Sequence, residues 1–192
     1  GTQMGYIRIA SFAENTGKEF KEELSALESH DMKGLIIDLR QNPGGLITSC
    51  VAVANEVVPK GPVVSVVERD GSKEEHDSSL EASKYPIVVL IDGNSASASE
   101  ILAGALQDTG AATLVGTTSY GKGSVQVVLP LMHDDGIKLT IAKYYTPSGR
   151  SIDGTGITPD VEVSFPQGAA TDVQLEKAEE VLQEKLAAGG NE

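Results

Sequence analysis

The stretch IVVLIDGNSASASEI, Ile87 to Ile101, sets the tightest limit on what this chain can fold into. An apolar, β-branched run stops at Asp92-Gly93-Asn94 and restarts as small residues with a helical apolar spacing. That pattern predicts a buried strand, a sharp turn and a helix N-terminus. Other segments repeat the motif. Residues 5–10 read as a strand, and Thr16–His30 as an amphipathic helix with Phe20, Leu24 and Leu27 on one face. Gly34–Leu39 is a second buried strand. It leads through Arg40-Gln41-Asn42-Pro43-Gly44-Gly45, a turn by composition, into a helix near Leu46–Val57. Pro62–Glu68 and Thr113–Val115 read as further strands, while Arg69–Lys84 is a polar connection carrying His76. Ser124–Leu129 and Ile137–Tyr145 alternate around His133-Asp134-Asp135-Gly136, a hairpin signal. Pro147–Pro159 reads as loop, and Thr171–Leu186 as a last amphipathic helix. Repeated strand–helix units predict an α/β domain with a largely parallel sheet. Its Gly44-Gly45 and Asn94–Ser97 turns, both strand-to-helix loops, are expected to face one cleft at one sheet edge.

Composition narrows the function. A net charge of −13 over 192 residues argues against nucleic acid or an anionic membrane as partner. No apolar run approaches the length of a membrane span, so no membrane insertion is expected. The single cysteine, Cys50, excludes an internal disulfide framework and reads as a buried packing thiol. The chain opens almost inside a strand, which reads as an excised core.

A serine at a helix-initiating turn lies beside unpaired backbone N–H groups that can stabilise negative charge. The three histidines, His30, His76 and His133, sit in polar helix-end or loop settings, and no Gly-x-Ser-x-Gly elbow is present. The remaining base is a lysine, which must be neutral to accept a proton and is helped in this by burial. Lys122, between Gly121 and Gly123, is the candidate, with Gln126 placed to hold its amine. The residues also allow a plainer reading. Ser97-Ala98-Ser99-Glu100 matches a helix capping box, and nothing in spacing chooses among Ser95, Ser97 and Ser99. Gly116 to Lys122 resembles a phosphate-binding loop up to its lysine. However, Gly123 stands where a magnesium-holding Ser or Thr is needed, and a strand follows instead of a helix.

Taken jointly, several segments resemble the core of the C-terminal processing peptidases, or tail-specific proteases. They are Gly5–Ile9, Asp38–Gly45, Ser95–Ile101, Gly121–Gln126, Lys143–Arg150, Gly156–Asp160 and Asp172–Leu175. The resemblance implies a crotonase/Clp-protease-like spiral of β-β-α units. Residues 1–168 would form the protease core and 169–192 a C-terminal amphipathic helix packed on or extending from it. It also implies Ser97 as nucleophile, Lys122 as base and Gln126 as the residue orienting that base, at the family's spacings. The oxyanion hole would come from the backbone of Gly44 or Gly45 together with Ala98. The implied chemistry is a serine endopeptidase cleaving near the C-terminus of protein substrates through an acyl-enzyme, with no metal or cofactor. Expected partners are protein or peptide tails, with an upstream PDZ domain and a helical region in the longer protein. The implied location is outside the cytoplasm, in periplasm, cell envelope or plastid lumen. The competing expectation is a catalytically silent peptide-binding core of the same fold.

Overall fold

Two buried apolar strands, β2 (Gly34–Asp38) and β5 (Ile87–Ile91), form the centre of the computed structural model, which describes residues 3–130, 135–166 and 168–189. Every residue of both strands is buried, as near-continuous apolar runs demand when a parallel sheet is covered on both faces. With β1 (Met4–Arg8), β6 (Ala112–Gly116) and β9 (Val161–Glu162) they make a five-stranded parallel sheet in the order β1-β2-β5-β6-β9. Successive side chains point to opposite faces. Leu35, Ile37, Ile87, Val89 and Ile91 therefore enter one core, packed with residues of α1 (Thr16–Ser29), α2 (Ile47–Val57) and α3 (Ala98–Asp108). Ile36, Val88, Leu90 and Val115 enter a second core under α4 (Val173–Gly189), against Ala178, Val181 and Leu182.

The chain twice leaves this sheet and returns. After α2 it runs out through β3 (Gly61–Glu68) and β4 (Lys73–Ser78) before β5. After β6 it runs out through β7 (Ser124–Pro130) and β8 (Gly136–Tyr145) before β9. These excursions assemble a second, antiparallel sheet in the order β4-β3-β8-β7. The α/β class, the spiral path and the C-terminal helix are as the sequence implies.

Two strands differ from the sequence reading. The polar connection 69–84 contains β4, KEEHDS, whose charged residues show no apolar alternation because an edge strand needs no second buried face. β9 has only two residues and gives no periodic signal. The expected hairpin is present as paired β7 and β8, while its turn residues His133 and Asp134 lie outside the described residues.

Arg40 fastens α4 to the sheet. Its Nε and Nη2 donate to Asp38 at 3.0 and 2.7 Å, and its Nη1 donates to Asp172 at 2.8 Å and to Gln174 Oε1 at 3.2 Å. Asp172 also accepts the Leu175 N–H at 3.0 Å at the start of α4. Burial opposes the guanidinium charge, but the hydrogen bonds it donates to the two aspartates outweigh this and raise the Arg40 pKa. Tyr6 donates to Asp38 at 2.7 Å; burial first, then this bond, pushes its pKa up to about 12. The hydrogen bond from Arg40, joined by backbone N–H donors, lowers the Asp172 pKa. A carboxyl depressed on folding stabilises the fold above its unfolded pKa of about 3.9 and loses that contribution as pH falls through its folded value. Asp172→Asn is therefore expected to lower the urea midpoint at neutral pH. The gap between variant and wild type should narrow as pH falls below about 3.9 and close only once it has passed the depressed folded pKa of Asp172, where the wild-type carboxyl is protonated in both states. An equal gap at both pH values would count against this role.

Candidate active site

The site is built where two strand-to-helix turns, residues 39–46 and 92–97, meet at the carboxyl edge of the parallel sheet. Asn42, fully buried, joins them. Its side-chain amide donates to Ile9 O at 2.7 Å and its Oδ1 accepts the Gly44 N–H at 2.9 Å. Its carbonyl accepts the Ala96 N–H at 3.0 Å and the Ser99 hydroxyl at 3.1 Å. Gly44 adopts φ +98° directly against the second turn. A Cβ there would lie 2.6 Å from Ala96 O and 2.7 Å from Ser97 Cβ, so no residue but glycine fits.

The three serines separate on this geometry. Ser95 is buried, donates to Leu39 O at 2.8 Å and accepts the Asp92 N–H at 3.0 Å. Ser99 is buried with its hydroxyl on Asn42 O. Both hold backbone together. Ser97 is half-buried at the N-cap of α3 with φ 55° and ψ −117°, a conformation costly for a side chain with a Cβ. Strain of this kind on a serine between strand and helix is the geometry of a nucleophile elbow.

Two N–H groups beside Ser97 have no protein acceptor among the described residues. One belongs to Ala98, the first residue of α3, and the other to Gly45. The Gly44 N–H is occupied by Asn42, so of the two expected glycines only Gly45 has a donor available for an oxyanion.

The loop carrying Lys122 is held by its backbone. The Tyr120 N–H donates to Ser95 O at 3.0 Å, Gly121 O accepts Gly154 N–H at 2.9 Å, and Gly123 O accepts Tyr144 N–H at 2.8 Å. A Cβ on Gly123 would stand 2.2 Å from Asp153 N, which explains the second glycine of the Gly-Lys-Gly turn. The Lys122 side chain is exposed and lines a cleft of about 710 Å³ with Gln41, Asn94, Tyr120, Gln126 and Lys138. Gln126 lies where the pairing with β8 skips Ile141, is exposed, and donates to Thr140 Oγ1 at 3.3 Å. The structure thus brings the Ser97 and Lys122 loops together and places Lys122 and Gln126 in one cleft. No hydrogen bond joins Ser97 Oγ, the Lys122 amine or the Gln126 amide to one another.

Glu100 is the residue the sequence reading took only for half of a capping box. It is fully buried, and its carboxylate accepts hydrogen bonds from Ser97 N–H, the Ser119 hydroxyl, Gly121 N–H and Lys122 N–H. Its neighbour in sequence, the Ser-Ala-Ser run, gives no hint of the last three partners. Cys50 lies beneath the elbow with its thiol on Ala98 O at 3.3 Å, and burial pushes its pKa up to about 12, which leaves it a packing group. His30 is exposed at the end of α1 and His76 lies on β4, so neither reaches the cleft; His133 lies outside the described residues. Among the described residues no group of three His, Cys, Asp or Glu side chains could hold a metal ion.

Residues 3–163 match the sequence profile of peptidase family S41. A carboxy-terminal-processing protease of Bartonella bacilliformis is 44% identical over 173 residues, covering 85% of this chain and 39% of that protein. The carboxy-terminal processing protease CtpB of Bacillus subtilis is 43% identical over 168 residues, covering 86% and 35%. A chloroplastic C-terminal processing peptidase of Tetradesmus obliquus is 36% identical over 174 residues, covering 90% and 37%. Among solved structures, a photosystem II D1 C-terminal processing protease superposes with a TM-score of 0.78 at 36% identity, over 93% of this chain and 46% of that one. The chain spans well under half the length of these curated relatives. With a family match over residues 3–163 and several relatives more than a third identical along most of its length, this chain belongs to peptidase family S41.

Proposed function

We propose that the chain is the catalytic core of a serine peptidase that cleaves protein substrates near their C-termini. The observation that carries this reading is the strained Ser97, set beside two unoccupied N–H groups and tied through Glu100 to the backbone of Lys122. Ser97 Oγ attacks the scissile carbonyl while its proton passes to the neutral Lys122 amine. The carbonyl oxygen, now negative, is held by the Gly45 and Ala98 N–H groups. Collapse of this intermediate breaks the C–N bond, the Lys122 ammonium returns the proton to the leaving amine, and an ester on Ser97 remains. Water then loses a proton to Lys122 and attacks the ester. The carboxylic acid product leaves, and the Ser97 hydroxyl is restored.

Lys122 is exposed, and Gln126 is engaged with Thr140, so this chemistry requires the cleft to close around a substrate. A peptide lying in the cleft excludes water from the amine and favours its neutral form. Gln126, released from a long 3.3 Å bond, then orients the amine through its carbonyl. In the longer protein an upstream PDZ domain presents the substrate tail, and the enzyme works outside the cytoplasm or in a plastid. The net charge of −13 fits a protein partner better than nucleic acid, and among the described residues no helix is long and apolar enough to cross a membrane.

Three alanine variants separate the serines. Ser97→Ala is expected to lower kcat by at least about 10³-fold with an unchanged melting temperature. Ser95→Ala and Ser99→Ala are expected to cost stability instead, about 1–3 kcal/mol for the buried groups left unpaired. Denaturant titration beside a peptidase assay reads both; loss of turnover in Ser95→Ala or Ser99→Ala but not in Ser97→Ala would sink the assignment. Because the base must be a free amine, kcat should increase with pH across the range about 6 to 10. A flat profile there argues against Lys122 as the proton acceptor.

A further inference from the structure

We propose that Glu100 is a positioning residue for peptide hydrolysis, setting the distance between nucleophile and base from a buried carboxylate. This rests on the reading of Ser97 and Lys122 as the reacting pair. Glu100 Oε2 accepts Ser97 N–H at 2.9 Å and Lys122 N–H at 2.8 Å, so one oxygen atom joins the backbones of both residues. Oε1 accepts the Ser119 hydroxyl at 2.5 Å and Gly121 N–H at 2.6 Å. Ser119 Oγ in turn accepts Ile157 N–H at 2.7 Å, which extends the linkage to the loop packed against Gly121 and Gly123.

A helix cap accounts for only one of these bonds. A capping carboxylate needs only the Ser97 N–H and can stay in water. Here the group is 0% exposed, and three of its four donors come from residues 119–122, the loop that carries the base. Burying a carboxylate is costly unless its acceptor sites are filled, and four donors fill them. Charge-assisted bonds of this kind are roughly twice as strong as neutral ones. They hold the elbow and the base loop, which are remote in sequence, within the span of two hydrogen bonds. The mobile part of the pair is then only the Lys122 side chain, which swings from the cleft onto Ser97 from a fixed root.

The deciding variant is Glu100→Gln, which keeps size and shape. Its NH₂ group faces N–H and O–H donors where an oxygen had accepted two bonds, so part of the linkage becomes repulsive. With casein as the probe substrate, kcat is expected to fall by about 100-fold with KM unchanged, as for a displacement of about 1 Å between reacting groups. An unchanged kcat overturns the proposal. So does a fall in kcat that only tracks the loss of folded protein. Amide hydrogen exchange in the unaltered protein gives a second test that does not depend on Glu100→Gln folding. The Gly121 and Lys122 amides should exchange as slowly as the core of α3; exchange at the rate of an open loop overturns the linkage. Casein hydrolysis surviving in Ser97→Ala would defeat the reading of the reacting pair and leave the exchange result standing.

Discussion

Everything at this site depends on two backbone turns approaching closely enough to share hydrogen bonds. The parallel pairing of β2 with β5 brings residues 39–46 beside residues 92–97; the Asn42 carbonyl bonds across the gap while its side chain holds the first turn to Ile9 and Gly44. Only a glycine at position 44 lets the first turn lie against Ser97. Among the described residues the N–H groups of Gly45 and Ala98 have no acceptor, Ala98 as the first residue of α3 having none within the helix. Electrostatic stabilisation of this kind works best when the donors are fixed beforehand, and here a buried asparagine and the helix start fix them.

Lys122, the base of the proposed mechanism, comes from a different part of the fold. Lys122 lies between the parallel sheet and β7 of the antiparallel sheet, on a loop pinned by Glu100, Ser95 and Gly154. The backbone there is rigidly placed while the side chain is free in the cleft. That division is the one the proposed lysine base needs, since its amine must lose its water to become neutral. Hydrogen bonds to the buried Glu100 carboxylate hold the frame of this region without engaging the Lys122 amine.

Arg40 plays a comparable fastening role on the other face. Its guanidinium fills the space between the end of β2 and the start of α4, with Asp38, Asp172 and Gln174 as acceptors. The helix that covers the second core is thereby fixed to the end of β2.

Much of this was legible in the residues because hydrophobic period and turn chemistry are local. The runs GLIID and IVVLI, the glycine turns and the amphipathic helices each declare their own conformation, and jointly they point to one family. β4 escaped notice because its residues are mostly charged or polar and show no apolar alternation. The roles of Ser95 and Ser99 were equally hidden, since a serine that holds a carbonyl looks the same in sequence as one that attacks a carbonyl.

The sequence by itself determined the elements other than β4 and β9, the α/β class, the two turns and the list of chemically capable side chains. Tertiary structure alone decided which serine is strained, which glycine N–H is left open, and that Glu100 answers to a loop far along the chain. The reason is physical: propensity and periodicity act over a few residues, whereas hydrogen-bond satisfaction in a buried site depends on groups that only the folded chain brings together.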